Sequence, residues 1–122
     1  MTVVEADIAK RDFRGYLLVS DLDGTLIGDG HRVSDENIAA IRAFVASGGR
    51  FLGATGRTEL NAEPYTEGLP LSAPWILYNG AAIWDWTSQR FLYKASLDRA
   101  LAEGFSRRVM EQLPTVDIQV YC

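Results

Sequence analysis

Apolar residues fall along the chain in short blocks set apart by glycine, proline and small polar residues. Tyr16-Leu17-Leu18-Val19-Ser20 is a compact apolar run without alternation. That pattern suits a strand buried on both faces, as in a parallel sheet. From Ser34 the period changes. Ile38, Ile41 and Val45 recur at helical spacing with Phe44 beside them, which predicts an amphipathic helix. Ser34 is placed to cap it, and Asp35 and Glu36 favour its positive end. Gly48-Gly49 stops it, and Arg50-Phe51-Leu52-Gly53-Ala54 reads as a second short strand. Strand, helix and strand make a βαβ unit, whose crossover is expected to be parallel and right-handed.

Beyond it, residues 58–69 read as a short helix weakened by Pro64, and Trp75-Ile76-Leu77-Tyr78 as a third strand. Asn79-Gly80 is a turn pair. Ala81 to Asp85 and Phe91 to Lys94 then predict a hairpin around residues 86–90. Asp98 opens a further helix, with Leu101, Phe105, Val109 and Leu113 in one stripe and Pro114 as its stop. Val116 to Tyr121 alternates as a half-buried strand does. Residues 1–14 have no such periodicity and read as a loose or accessory segment. The predicted class is α/β.

Composition narrows the function. With 122 residues and 48% hydrophobic content the chain can bury one modest core. Its net charge is -4, and its closest approaches to a basic run are Arg107-Arg108 and Lys10-Arg11. Nucleic-acid binding thus has little electrostatic support. The sequence has no apolar run near the roughly 20 residues that cross a bilayer, and the first 14 residues lack a signal-like apolar core. The only cysteine is Cys122, so neither an internal disulfide nor a cysteine zinc site is expected. A cytoplasmic protein without membrane or nucleic-acid partners is the expectation.

The candidate chemistry lies where the first two strands end. In open α/β sheets ligands gather beyond the carboxyl ends of the strands. Asp21 and Asp23 leave the first strand, followed by Gly24 and Thr25; Thr55-Gly56-Arg57 leaves the second. Two carboxylates sharing a pocket repel, and Mg²⁺ with its preference for oxygen ligands relieves this. Asp21 is placed to attack phosphorus, forming an aspartyl-phosphate, and Asp23 to protonate the leaving oxygen and then activate water. The acid role needs a raised pKa, which a neighbouring negative charge supplies. Gly24 permits close backbone approach and Thr25 steadies the turn. The Thr55 hydroxyl and Gly56 amide are donors for a transferring phosphoryl group. Arg57 either pairs with substrate or braces its loop. Each stretch alone also reads as an ordinary turn. His31 reads as solvent-exposed, Trp75, Trp84 and Trp86 as core or hairpin packing, and Lys94 as a surface charge.

"DLDGTL", Asp21 to Leu26, resembles the DxDGT first motif of the haloacid dehalogenase-like (HAD) hydrolases. "TGR", Thr55 to Arg57, is similar to the second motif of the Cof-type phosphatase group, and "GGRFLGATGR" and "ILYNGAAIWD" resemble that group's flanking sequence. The resemblance runs from about Tyr16 to Val120. It implies a Rossmann-like core, here 15–95, a hairpin, and the start of an α/β cap at 96–122, after an N-terminal segment 1–14. It implies Asp21 as nucleophile, Asp23 as acid/base, Asp21 and the Asp23 carbonyl as Mg²⁺ ligands, Thr55 as phosphoryl ligand, and Asn79 near the substrate entrance. The implied activity is Mg²⁺-dependent hydrolysis of a sugar phosphate or other small phosphomonoester. Sucrose-phosphatases and phosphomutases of similar type are the alternatives.

Two expected parts do not appear in the sequence. These are the family's third-motif lysine, for which Lys94 comes too early, and its late acidic motif. The chain therefore resembles only the N-terminal part of such an enzyme. It is expected to expose sheet edges and the apolar side of an unfinished cap, which a homodimer or a second fragment would cover. A non-catalytic interaction module is the remaining alternative, marked by partner binding indifferent to Asp21→Ala and to Mg²⁺; a phosphate-receiver domain is a weaker one. The prediction is little phosphatase activity from the 122 residues alone. Turnover by a chain of verified mass, lost in Asp21→Asn, would refute it.

Overall fold

The computed structural model describes residues 2–28 and 30–121; Met1, Asp29 and Cys122, the single cysteine, lie outside them. The βαβ unit forms as expected. Strand β1 (Leu17–Ser20) pairs in parallel with β2 (Arg50–Gly53), Leu17 opposite Arg50 and Ser20 opposite Gly53. The crossover helix has the length and boundaries its sequence predicts. A first helix α1 (Val3–Ala9) precedes β1, and α2 (Asp35–Ala46) follows it. Ser34 caps α2 by accepting from the Asn37 amide at 3.2 Å. The chain leaves α2 through Gly48, whose φ of +97° is the left-handed conformation a glycine adopts without cost.

The short helix α3 (Glu59–Ala62) runs into a 3₁₀ turn at Glu63–Thr66, with Pro64 in its first turn. β3 (Trp75–Leu77), β4 (Ala82–Asp85) and β5 (Arg90–Lys94) form an antiparallel sheet in that order. A single parallel bridge, Ala54 to Ile76, joins the two sheets. Helix α4 (Arg99–Gln112) follows, capped by Asp98. The core lies between the sheets, α2 and α3, and centres on Leu22, Phe51, Trp75 and Leu77, all fully buried. Trp84 and Trp86 pack against it as expected. The indole N–H of Trp75 is buried without a partner, which costs about 1–3 kcal/mol. Burying some 200 Å² of aromatic surface at roughly 25 cal/mol/Å² contributes about 5 kcal/mol against that.

Three expectations are corrected. The segment before β1 is not loose: α1 opens with a reciprocal cap, in which the Glu5 amide donates to the Thr2 hydroxyl and the Thr2 amide to the Glu5 carboxylate. It packs against α2, and Phe13 stacks on Phe44 with ring centres 4.7 Å apart. Second, β1 is not buried on both faces, since Leu17, Leu18 and Val19 are 55%, 40% and 49% exposed. Its apolar run needs cover on two faces, and β2 is its one strand neighbour among the described residues. The α4 stripe forms and faces solvent, as the apolar side of an unfinished cap is expected to, with Leu101, Phe105 and Leu113 exposed. Third, Val116 to Tyr121 forms no strand. Alternation is a local signal, whereas a strand needs a neighbouring edge to complete its hydrogen bonds. No described helix is long and apolar enough to cross a membrane.

A test of the core follows from Gly53. A Cβ there would stand 2.7 Å from the Trp75 ring. Gly53→Ala is expected to destabilise the fold by about 1–3 kcal/mol, measured by urea denaturation followed through tryptophan fluorescence.

Candidate active site

The loop after β1 is shaped by one leucine. Leu22 is fully buried, so the carboxylates on either side of it, Asp21 and Asp23, stay at the surface. Backbone bonds close the turn: the Ile27 amide donates to Leu22 O at 2.8 Å and the Gly24 amide to Ile27 O at 3.1 Å. Gly24 makes this possible with a φ of +74°. Leu26, Ile27 and Val33 are buried beneath the loop and fix it to the core.

The end of β2 is held by both of its neighbours. The Ala54 amide donates to Ser20 O of β1, and the Thr55 amide to Ile76 O of β3, each at 2.9 Å. The turn after β3 comes back onto the same loop, with the Asn79 amide donating to Thr55 O at 3.2 Å and the Tyr78 amide to Arg57 O at 3.1 Å. An open cavity of about 300 Å³ results, lined by Asp21, Ala54, Thr55, Gly56, Ile76, Asn79 and Gly80. Thus four residues singled out in the sequence, Asp21, Thr55, Gly56 and Asn79, meet in one place. Thr55 is buried, and its Oγ1 accepts from the Arg57 amide at 3.2 Å. A Cβ on Gly56 would fall 2.8 Å from Asn79 Oδ1, so a larger residue there would push the Asn79 side chain aside.

Asp23 and Arg57 are arranged differently from the sequence expectation. Arg57 donates from Nη2 to Asp23 Oδ1 at 2.6 Å and from Nε to Oδ2 at 3.0 Å. This two-point pairing is the strong geometry for guanidinium and carboxylate. The guanidinium also lies 4.6 Å over the Tyr65 ring. Arg57 thereby braces its loop against the one that carries Asp23. The expected raised pKa of Asp23 is corrected as well. Its hydrogen bonds from Arg57 hold the carboxyl below its ordinary value, because the nearest charge is the arginine rather than Asp21. The Thr25 hydroxyl makes only a long 3.5 Å contact to Asp21 Oδ2, so the Asp21 carboxylate stays exposed. His31 is exposed, and the Lys94 ammonium lies over the Phe91 ring, 4.1 Å from its centre. Among the described residues no three His, Cys, Asp or Glu side chains gather to hold a metal.

Sequence reasoning missed Tyr78 and Glu59. The Tyr78 phenol donates to Glu59 Oε2 at 2.6 Å, joining α3 to the turn that carries Asn79. Burial first, and Glu59 next, push the phenol pKa up to about 12. The sequence offered no local signal for this contact, since the two residues belong to different elements.

Residues 18–122 match the model of the haloacid dehalogenase-like hydrolase family, and the chain belongs to that family. It is 38% identical over 78 residues to the 5-amino-6-(5-phospho-D-ribitylamino)uracil phosphatase YcsE of Bacillus subtilis, which covers 64% of this chain and 31% of that protein. It is 34% identical over 87 residues to the HMP-PP phosphatase of Serratia proteamaculans, covering 71% of this chain and 31% of the relative. The chain therefore spans about a third of the length of these curated relatives. Among solved structures it resembles a haloacid dehalogenase-like hydrolase from B. subtilis, with a TM-score of 0.69 at 30% identity over 79% of this chain and 33% of that one.

The Asp23–Arg57 pair has a testable pH consequence. A carboxyl with a depressed folded pKa adds stability above its unfolded pKa, near 3.9 for aspartate, and that stability is lost as pH falls through the folded value. In Arg57→Ala the Asp23 titration midpoint, read by ¹³C NMR of the carboxyl carbon, is expected to move up. An unmoved midpoint would show that Arg57 does not hold the carboxyl down.

Proposed function

We propose that this member of the haloacid dehalogenase-like hydrolases carries the nucleophile-bearing part of a phosphomonoester hydrolase acting on a small phosphorylated metabolite, such as a sugar phosphate. The supporting observation is the exposed Asp21 carboxylate at a strand exit, sharing one cavity with Thr55, Gly56 and Asn79. The named activities of the B. subtilis and Serratia relatives, phosphatases of phosphorylated small molecules, support the same reading. In this reading 15–95 belong to the core, and 96–122 begin a cap.

In the first step an Asp21 oxygen bonds to phosphorus while the bond from phosphorus to the ester oxygen breaks. The departing oxygen takes a proton from Asp23, itself first protonated from solvent, and leaves as an alcohol. In the second step water attacks the aspartyl-phosphate, releasing phosphate and restoring Asp21. The buried Thr55 hydroxyl, whose oxygen already accepts from the Arg57 amide, keeps its O–H to donate to a phosphoryl oxygen. Asp23 is ionised and paired, which suits a base acting on water. Giving a proton to the leaving oxygen requires the pair with Arg57 to loosen. The donor set, an exposed carboxylate at Asp21 and a backbone carbonyl at Asp23, consists of hard oxygens that suit Mg²⁺. Mg²⁺ keeps several waters and accepts substrate phosphate oxygens. Bound there it would neutralise charge on the phosphoryl group.

A polypeptide that carries this segment at the length of the relatives is expected to hydrolyse p-nitrophenyl phosphate. Asp21→Asn should lower that turnover by about 10³-fold or more, and chelation of divalent cations should abolish it. Full activity in Asp21→Asn would rule out this nucleophile. The exposed apolar residues of β1 and α4 favour an additional reading, a homodimer or a second polypeptide of the same protein covering them. Sedimentation of the 122-residue chain tests it. Association that buries Leu18 and Phe105 from deuterium labelling is expected of the homodimer, and a monomer at all concentrations would contradict that form and leave the second polypeptide as the cover.

A further inference from the structure

The turn after β3 is built against the preference of its first residue. Tyr78, Asn79 and Gly80 all have positive φ, at 54°, 54° and 93°. Glycine adopts this region freely and asparagine tolerates it, but a bulky aromatic there is an outlier. Strained backbone persists only where its surroundings over-determine it, and it concentrates at functional sites.

The surroundings of Tyr78 meet that condition. Its amide donates to Arg57 O, the next amide donates to Thr55 O, and its own carbonyl accepts from the Ala81 amide at 3.1 Å. Its ring meets Phe91 and Tyr121, with centres 6.3 and 5.5 Å away. Its phenol reaches Glu59, the first residue of α3 and two places beyond the Thr55–Arg57 loop. The turn is therefore tied to the Thr55–Arg57 loop through its backbone and to α3 through the Tyr78 phenol. The consequence is visible at Gly56, where the Asn79 amide sits within 2.8–3.1 Å of the space a Cβ would occupy.

We propose that Tyr78 is a positioning residue: its phenol, anchored on Glu59, fastens the strained turn across the Thr55–Arg57 loop and sets where the Asn79 amide stands over the phosphoryl cavity. The strain and the anchor together make sense as a means of fixing Asn79. The ligand consequence rests on the phosphoryl-binding reading of the cavity; the clamp itself does not.

The test uses the 122-residue chain and three variants. Tyr78→Phe keeps the ring and loses the hydroxyl, Glu59→Ala removes the acceptor, and Glu59→Gln keeps an acceptor oxygen. Amide hydrogen exchange at Tyr78 and Asn79 reports the clamp, and ³¹P titration with inorganic phosphate in the presence of Mg²⁺ reports the cavity. Tyr78→Phe and Glu59→Ala should exchange about tenfold faster at those two amides and bind phosphate about fivefold more weakly. Glu59→Gln should behave as the parent, and global stability should change little in Tyr78→Phe. Equal exchange rates in parent and Tyr78→Phe overturn the proposal. So does faster exchange with unchanged phosphate affinity, or binding lost only in proportion to global stability. A parent chain that binds no phosphate refutes the phosphoryl reading alone, and the clamp is then decided by exchange at Asn79.

Discussion

Two backbone hydrogen bonds made by consecutive residues govern the geometry of this molecule. Ala54 donates to the last residue of β1 and Thr55 donates to β3. A peptide that bonds to one neighbour and then the other draws three strand exits to one point. The parallel pairing of β1 with β2 is what makes this arrangement available, because a crossover brings both strands out at the same edge. Asp21 arrives from the first exit, Thr55 and Gly56 from the second, and Asn79 from the third. The helix, the caps and the aromatic core serve chiefly to hold that meeting point rigid.

Charge and strain are then distributed around the meeting point unevenly. Asp21 is left exposed and has no cationic partner among the described residues, whereas Asp23 two residues away is held by a two-point arginine. Buried Leu22 between them separates the two environments. A pair of carboxylates that looks symmetrical in sequence therefore divides into one exposed group and one restrained group. Strain is stored on the opposite wall, at Tyr78, where an outlying backbone conformation costs on the order of 1–3 kcal/mol. The neighbouring hydrogen bonds and ring contacts offset that cost.

What the sequence makes legible is what depends on neighbours in the chain. Ser34 and the Ile38–Val45 period define α2 to within a residue, and the Asn79-Gly80 pair marks its turn. The helix α1 was legible too: Thr2 and Glu5 have the spacing of a capping box, a signal that the missing periodicity of residues 1–14 obscured. Other features depend on contacts across the fold and leave no local trace. The pairing of Asp23 with Arg57 spans 34 positions and that of Tyr78 with Glu59 spans 19. The same limit explains the error over residues 116–121, where a clean alternation has no edge to join. The apolar run of β1 records a need for burial, but not whether this chain meets it.

The most direct test of the central claim is a ¹H–¹⁵N map of amide shifts in the 122-residue chain as inorganic phosphate is added with Mg²⁺. If the three strand exits form a phosphoryl site, the shifts should concentrate at Asp21, Thr55, Gly56, Asn79 and Gly80. Shifts concentrated instead at the second cavity, around Thr25, Gly30 and the start of α2, would contradict it, as would a spectrum that phosphate leaves unchanged.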